Sequence, residues 1–138
     1  MFGRLLLTTL FLTQSAESKI TDCGLTKALF KLNAVGFWPD PAVPNENSTV
    51  SLDYTVPEGT TITDGTAKYS LTYNFIPLSP TVEPLCTKNV ECPIVAGTYN
   101  KSTSSNFPSG LSGTMVIKSE WRDQTDNLLL CYQITTKV

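Results

Sequence analysis

Histidine is absent from all 138 residues. A Ser-His-Asp or Cys-His catalytic arrangement is therefore impossible, and zinc loses its imidazole ligands. No C-x-x-C redox pair occurs, and no G-x-S-x-G elbow, P-loop or dinucleotide fingerprint. Ten Lys and Arg stand against twelve Asp and Glu, and no basic cluster forms. Nucleic acid and anionic membrane surfaces thus find no electrostatic footprint. Asp123 with Asp126, and Glu83 with Glu91, read as solvated turn residues rather than acid pairs. The reading is of a chain that is no enzyme and has no metal and no cofactor.

One apolar run stands out, Leu5 to Leu12, after the basic Arg4 and before the small residues Ala16-Glu17-Ser18. It is too short to span a bilayer and has the layout of a signal peptide. Residues 1–18 are read as the leader, cut after Ser18 with Ala16 as second choice, and residues 19–138 as one domain with one core. Entry into the secretory route means that thiols pair. Cys23, Cys86, Cys92 and Cys131 allow three pairings. The reading favours Cys86–Cys92 as a clip on a short loop and Cys23–Cys131 as a tie between the chain ends. The second closes a loop worth roughly 4–5 kcal/mol in chain entropy. Asn47-Ser48-Thr49 and Asn100-Lys101-Ser102 are sequons, which makes Asn47 and Asn100 glycan acceptors in that compartment.

Helical periodicity is missing, and alternation takes its place. Val50, Leu52, Tyr54 and Val56 share a phase, as do Tyr69, Leu71, Tyr73 and Phe75. So do Met115, Ile117, Ser119 and Trp121, then Leu128, Leu130, Tyr132 and Ile134, with Phe30 and Leu32 as a shorter set. A period of two marks strands that bury one face. Pro57-Glu58-Gly59 and Asp64-Gly65 read as turns, and residues 123–127 as a hairpin. Pro39, Pro41 and Pro44 make an extended loop, and residues 100–113 read as a second, polar loop holding Phe107 and Leu111. The expectation is an all-β fold, an antiparallel immunoglobulin-like β-sandwich of about seven strands. Periodicity alone does not separate a filled core from a hollow one.

Four stretches carry a resemblance across residues 20 to 138: "TDCG", "FWPDPAVPNENSTVSLDYTV", "LCTKNVECPIVAGTY" and "SEWRDQTDNLLLCYQI". Their order and spacing resemble the ML lipid-recognition domain family, which includes the Niemann–Pick type C sterol carriers and the phosphatidylglycerol/phosphatidylinositol transfer proteins. The resemblance implies the same two disulfides and an apolar hollow between sheets that splay at one edge. It places the family's mouth-lining aromatic on Leu78. Sterol carriers have a further disulfide in the Pro-rich loop, and residues 39–47 hold no cysteine, which leans toward the phospholipid-transfer branch.

Strand phase adds Leu52, Tyr54, Leu71, Tyr73, Phe75, Met115, Ile117 and Trp121 as lining candidates, with Phe107 and Leu111 from the loop. The function implied is a lipid carrier in the secreted or endosomal and lysosomal space, a monomer that meets membranes or a lipid-accepting partner transiently. Residues 101–113 are the candidate mobile rim. The alternative is a secreted β-sandwich recognition module that binds protein or glycan through its loops. That alternative requires a solid interior.

Overall fold

The computed structural model describes residues 18–88, 90–106, 110 and 112–138. The leader before Ser18, and Phe107 and Leu111, lie outside the described residues. Among the described residues nine strands occur: β1 (Lys19–Asp22), β2 (Lys31–Trp38), β3 (Asn47–Ile62), β4 (Gly65–Tyr73), β5 (Ile76–Pro77), β6 (Thr81–Pro84), β7 (Ile94–Asn106), β8 (Thr114–Asp123) and β9 (Leu128–Lys137). One sheet runs β1-β9-β8-β4-β5, with β6 also on β4, and the other runs β2-β3-β7. Every pairing is antiparallel. The strands beyond seven are short: β5 and β6 together form one edge of the larger sheet, broken at residues 78–80.

Three local expectations change. Pro57-Glu58-Gly59 does not end its strand; β3 continues to Ile62 through a bulge between Val56 and Thr61, and Gly59 supplies a φ of 78° there. Residues 100–106 belong to β7 rather than to a loop. Ser104 of this stretch shares a hydroxyl hydrogen bond with Thr49 of β3 at 3.2 Å, and Thr98 just before it one with Thr55 at 3.4 Å, so cross-strand hydroxyl pairs help to hold a polar strand. The third change is at Phe75. β4 stops at Tyr73, and Asn74-Phe75 forms a two-residue hairpin turn with φ of 48° and 67°, the left-handed pair of a type I′ turn. Phe75 is 85% exposed at the tip instead of lining the interior.

The interior closes at one end around aromatic rings. Tyr54 on β3 stacks on Phe30 at 5.7 Å and on Tyr99 of β7 at 5.4 Å, and meets Trp121 of β8 edge-on at 5.4 Å. Leu130 and Ile134 of β9 and Ile62, Leu85 and Ile94 are buried with them. Cys23 bonds Cys131 across a separation of 108 residues, tying β1 to β9. Cys86 bonds Cys92 six residues on. The clipped loop opens with a short helix, Leu85–Lys88, whose first residue is fully buried.

Toward the other end the β2-β3-β7 sheet tapers. Paired residues project to the same side, so its inner face steps from Tyr54 and Tyr99 to Leu52 and Lys101, then Val50 and Thr103, then Ser48 and Ser105. Opposite them, β8 and β4 present Trp121 with Ala67, Ser119 with Tyr69, Ile117 with Leu71, and Met115 with Tyr73. On the β3–β7 side small hydroxyl side chains therefore face medium-sized apolar ones at that end, while β2 sets the buried Phe37 beside Val50. Two sheets about 10 Å apart do not fill with such pairs.

Two stability predictions follow from this frame. Replacing both Cys23 and Cys131 by serine is expected to cost about 4–5 kcal/mol, against about 2–3 kcal/mol for Cys86 and Cys92, because the loops differ in length; urea unfolding measures both, and equal losses contradict the assignment. Phe75→Gly removes a side chain from the left-handed region, where it costs roughly 1–2 kcal/mol, and is expected to raise the melting temperature. A fall would show that Phe75 is held by contacts that the exposed turn does not display.

Candidate functional site

The taper leaves a cavity of about 520 Å³, within the roughly 300–1,000 Å³ of small-molecule sites. Its floor is Tyr69, Leu71 and Tyr73 of β4 with Met115 and Ile117 of β8. Its rim is Leu78, Ser79 and Thr81 from the broken edge between β5 and β6, and Ser105 and Asn106 from the end of β7. The gap in that edge strand thus becomes part of the opening. Leu78 is 48% exposed, and its N–H donates to the Leu71 carbonyl at 2.8 Å, which fixes it over the floor.

Tyr73 both lines the cavity and anchors its rim. Its hydroxyl donates to the Ser112 carbonyl at 2.8 Å and accepts from the Ser112 N–H at 3.0 Å. Asn74 beside it donates to the same carbonyl at 3.2 Å and accepts from the Thr114 N–H at 2.9 Å. A Cβ on Gly113 would collide with the Asn74 side chain, so glycine is what lets the two segments meet.

Of the residues read from the sequence as lining, Leu71, Tyr73, Leu78, Met115 and Ile117 come together here. Leu52 and Trp121 are buried away from this cavity and Tyr54 lines a second pocket, because strand phase gives the side of the sheet but not the position along it. Phe75 sits outside on the turn, and Phe107 and Leu111 lie outside the described residues. Tyr69, Ser70, Ser79, Thr81, Ser105 and Asn106 were not anticipated as lining. Tyr69 shares the phase of Leu71 and Tyr73, which could have found it; the small polar rim residues carry no signal of their own.

Two tyrosine hydroxyls are held in partly buried settings. Burial, followed by the nearby Tyr99, pushes the Tyr54 hydroxyl up to about 12. Burial again, then Tyr132 and Glu83, pushes Tyr69 up to about 12. The Trp121 indole N–H opposes the second shift from a position short of full hydrogen-bond geometry. Beside Trp121 a second pocket of about 320 Å³ is lined by Tyr54, Val90, Glu91, Ile94, Tyr99, Asn100 and Lys101. A closed aromatic end and an open apolar end define a β-sandwich with a hollow between its sheets.

The ML domain family model matches residues 17–138, and the chain belongs to that family. Among solved structures it is similar to a Niemann-Pick type C2 protein from the Japanese carpenter ant, at 15% identity and a TM-score of 0.66, over 86% of this chain and 98% of that one. It is also similar to chicken MD-1 complexed with lipid IVa, at 13% identity and a TM-score of 0.60, over 88% of each chain. No curated protein matches in sequence.

The two tyrosines give a pH test. Unfolded tyrosine loses its proton near 10, whereas Tyr54 and Tyr69 hold theirs to about 12. The folded state binds more protons in that interval, so stability is full below pH ~10 and falls as the pH rises toward 12. Titration of tyrosinate absorbance is expected to show late-ionising residues that Tyr54→Phe and Tyr69→Phe remove. Ionisation of all five tyrosines in one step near 10 contradicts the buried setting.

Proposed function

We propose that this protein binds a lipid, a sterol or a phospholipid, with its hydrocarbon in the hollow between the sheets, and carries it without catalysis. One observation carries the reading: the 520 Å³ cavity has an apolar floor and a rim at a broken sheet edge. The family and the lipid-bound MD-1 fold support it. Burial of apolar ligand surface contributes about 25 cal/mol per Å², so a few hundred Å² outweighs part of the cost of holding the ligand. The cysteine-free Pro-rich loop leans toward the phospholipid-transfer branch of the family.

The carrier works in the secreted or endosomal and lysosomal space, as residues 19–138 after removal of the leader. It acts as a monomer that exchanges its lipid at a membrane or with an accepting protein. The two disulfides suit that compartment. Asn47 and Asn100 are exposed on β3 and β7, accessible to glycans there. The rim expected to move is narrower than residues 101–113, since β7 extends to Asn106.

The test is organic extraction of the protein purified from an oxidising host, followed by mass spectrometry and uptake of a fluorescent sterol and a fluorescent phospholipid. Co-purified lipid and saturable uptake are expected; neither one appearing ends the carrier reading. Leu78→Asp and Ser105→Phe are each expected to weaken uptake about tenfold or more, roughly 1.4 kcal/mol or above, the first by wetting the rim and the second by filling the taper. Both side chains are exposed or half-exposed, so melting temperature is expected to move little. A parallel loss of stability would make them fold residues instead.

A further inference from the structure

Strand β7 borders two separate spaces. Ser105 and Asn106 line the cavity at the open end, and Tyr99, Asn100 and Lys101 line the smaller pocket of about 320 Å³. Ser105 and Lys101 point to the same side of the sheet, roughly 14 Å apart along the strand at ~3.4 Å per residue. On the larger sheet the lining of the cavity ends at Tyr69 and Ile117. The next inward residues of β8 are Ser119 and Trp121, and both are buried. Lys101 spans the distance between the sheets at this level. From β7 it reaches toward β8 and sets its ammonium 5.8 Å from the centre of the Trp121 ring, within cation–π range. Its cross-strand neighbour on β3, Leu52, is buried. Leu52, Lys101 and Trp121 thus stand in one cross-section, between the cavity and the pocket.

The odd member of this cross-section is the lysine. Leu52 and Trp121 are core residues, whereas the ammonium among them has a ring face for a partner: among the described residues Lys101 makes no ion pair. Burial already draws its pKa below the ordinary lysine value. A hydrocarbon end that advanced past Ile117 would strip the ammonium of its remaining water. Desolvating an unpaired charge costs more than burying one further methylene gains. We propose that Lys101 is the inner wall of the lipid cavity and sets the longest hydrocarbon chain that the protein accepts. This rests on the carrier reading and adds its specificity. Chains that end over Leu71 and Ile117 fit, and longer ones are stopped short of the pocket that Tyr54 and Tyr99 line. Lys101 stands on β7, at an edge of its sheet, where an inward charge also discourages pairing with another chain, so the experiment has to separate the two roles.

The experiment measures displacement of a fluorescent phospholipid from the intact protein by straight-chain primary alcohols from octanol to octadecanol, a neutral series in which length alone changes. In the wild type each added methylene is expected to tighten binding about fourfold up to a limiting length, beyond which affinity stays level. Lys101→Ala is expected to move that limit outward by several methylenes, so that the longest alcohol binds about tenfold or more tighter than to the wild type while the shortest binds equally. Lys101→Arg, which keeps both the stem and the charge, is expected to keep the wild-type limit. Affinity that climbs evenly through the series in the wild type, a limit unmoved in Lys101→Ala, or no displacement by any alcohol overturns the proposal while leaving the carrier. An unmoved limit together with new dimers of Lys101→Ala assigns the residue to edge protection. Weaker binding of every alcohol alike in Lys101→Ala makes it a fold residue and also overturns the proposal. Failure of the fluorescent phospholipid and of every alcohol to bind removes the carrier reading itself.

Discussion

The aromatic contact of Tyr54 with Trp121 is what the hollow depends on. A sandwich has a fixed spacing only where side chains from both sheets meet, and here the aromatic meeting, of Phe30, Tyr54, Tyr99 and Trp121, is at one end, with Phe37 and Ala42 buried toward the other. Aromatic pairs of this kind add to the large area that each ring buries. The Cys23–Cys131 bridge ties β1 to β9 in the larger sheet. With one end closed, the other can stay underfilled without the sheets collapsing. The hollow is thus a property of where the large side chains stop: β7 runs from Tyr99 through Lys101 and Thr103 to Ser105, each step smaller or more polar toward the opening.

Leu71, Met115 and Ile117 present surface that water solvates poorly and a hydrocarbon covers well. Toward the closed end Lys101 sets its ammonium 5.8 Å from the centre of the Trp121 ring. The rim is assembled from separate segments: Leu78 at the break in the edge strand, and Ser112 held by Tyr73 and Asn74. Tyr73 thus belongs to both floor and rim.

Much of this was legible in the sequence, and the limits have physical causes. Period-two alternation identified β3, β4, β8 and β9 and the face each one buries, since a half-buried strand leaves that mark. It misled at Asn74-Phe75, where the hairpin turn takes two left-handed residues and the second is a phenylalanine where glycine is favoured. It was silent on residues 100–106, because "NKSTSSN" lacks the apolar residues that announce a strand and is held by pairing to β3. Alternation also gives no coordinate along the sandwich, which is why Leu52 and Trp121, in phase with Met115 and Ile117, belong to the filled end. The four-part resemblance to the ML domain supplied what periodicity did not: that a gap existed, and that Leu78 stood at its mouth.

The central claim is that hydrocarbon occupies the tapered end and not the aromatic end. Methyl NMR of the protein with a lipid spin-labelled on its chain tests this most directly. The account predicts broadening of the methyl signals of Leu71, Met115 and Ile117, with those of Ile62 and Ile94 at the closed end left sharp. Broadening confined to exposed methyls such as Val82 and Val95, with the floor untouched, would contradict it.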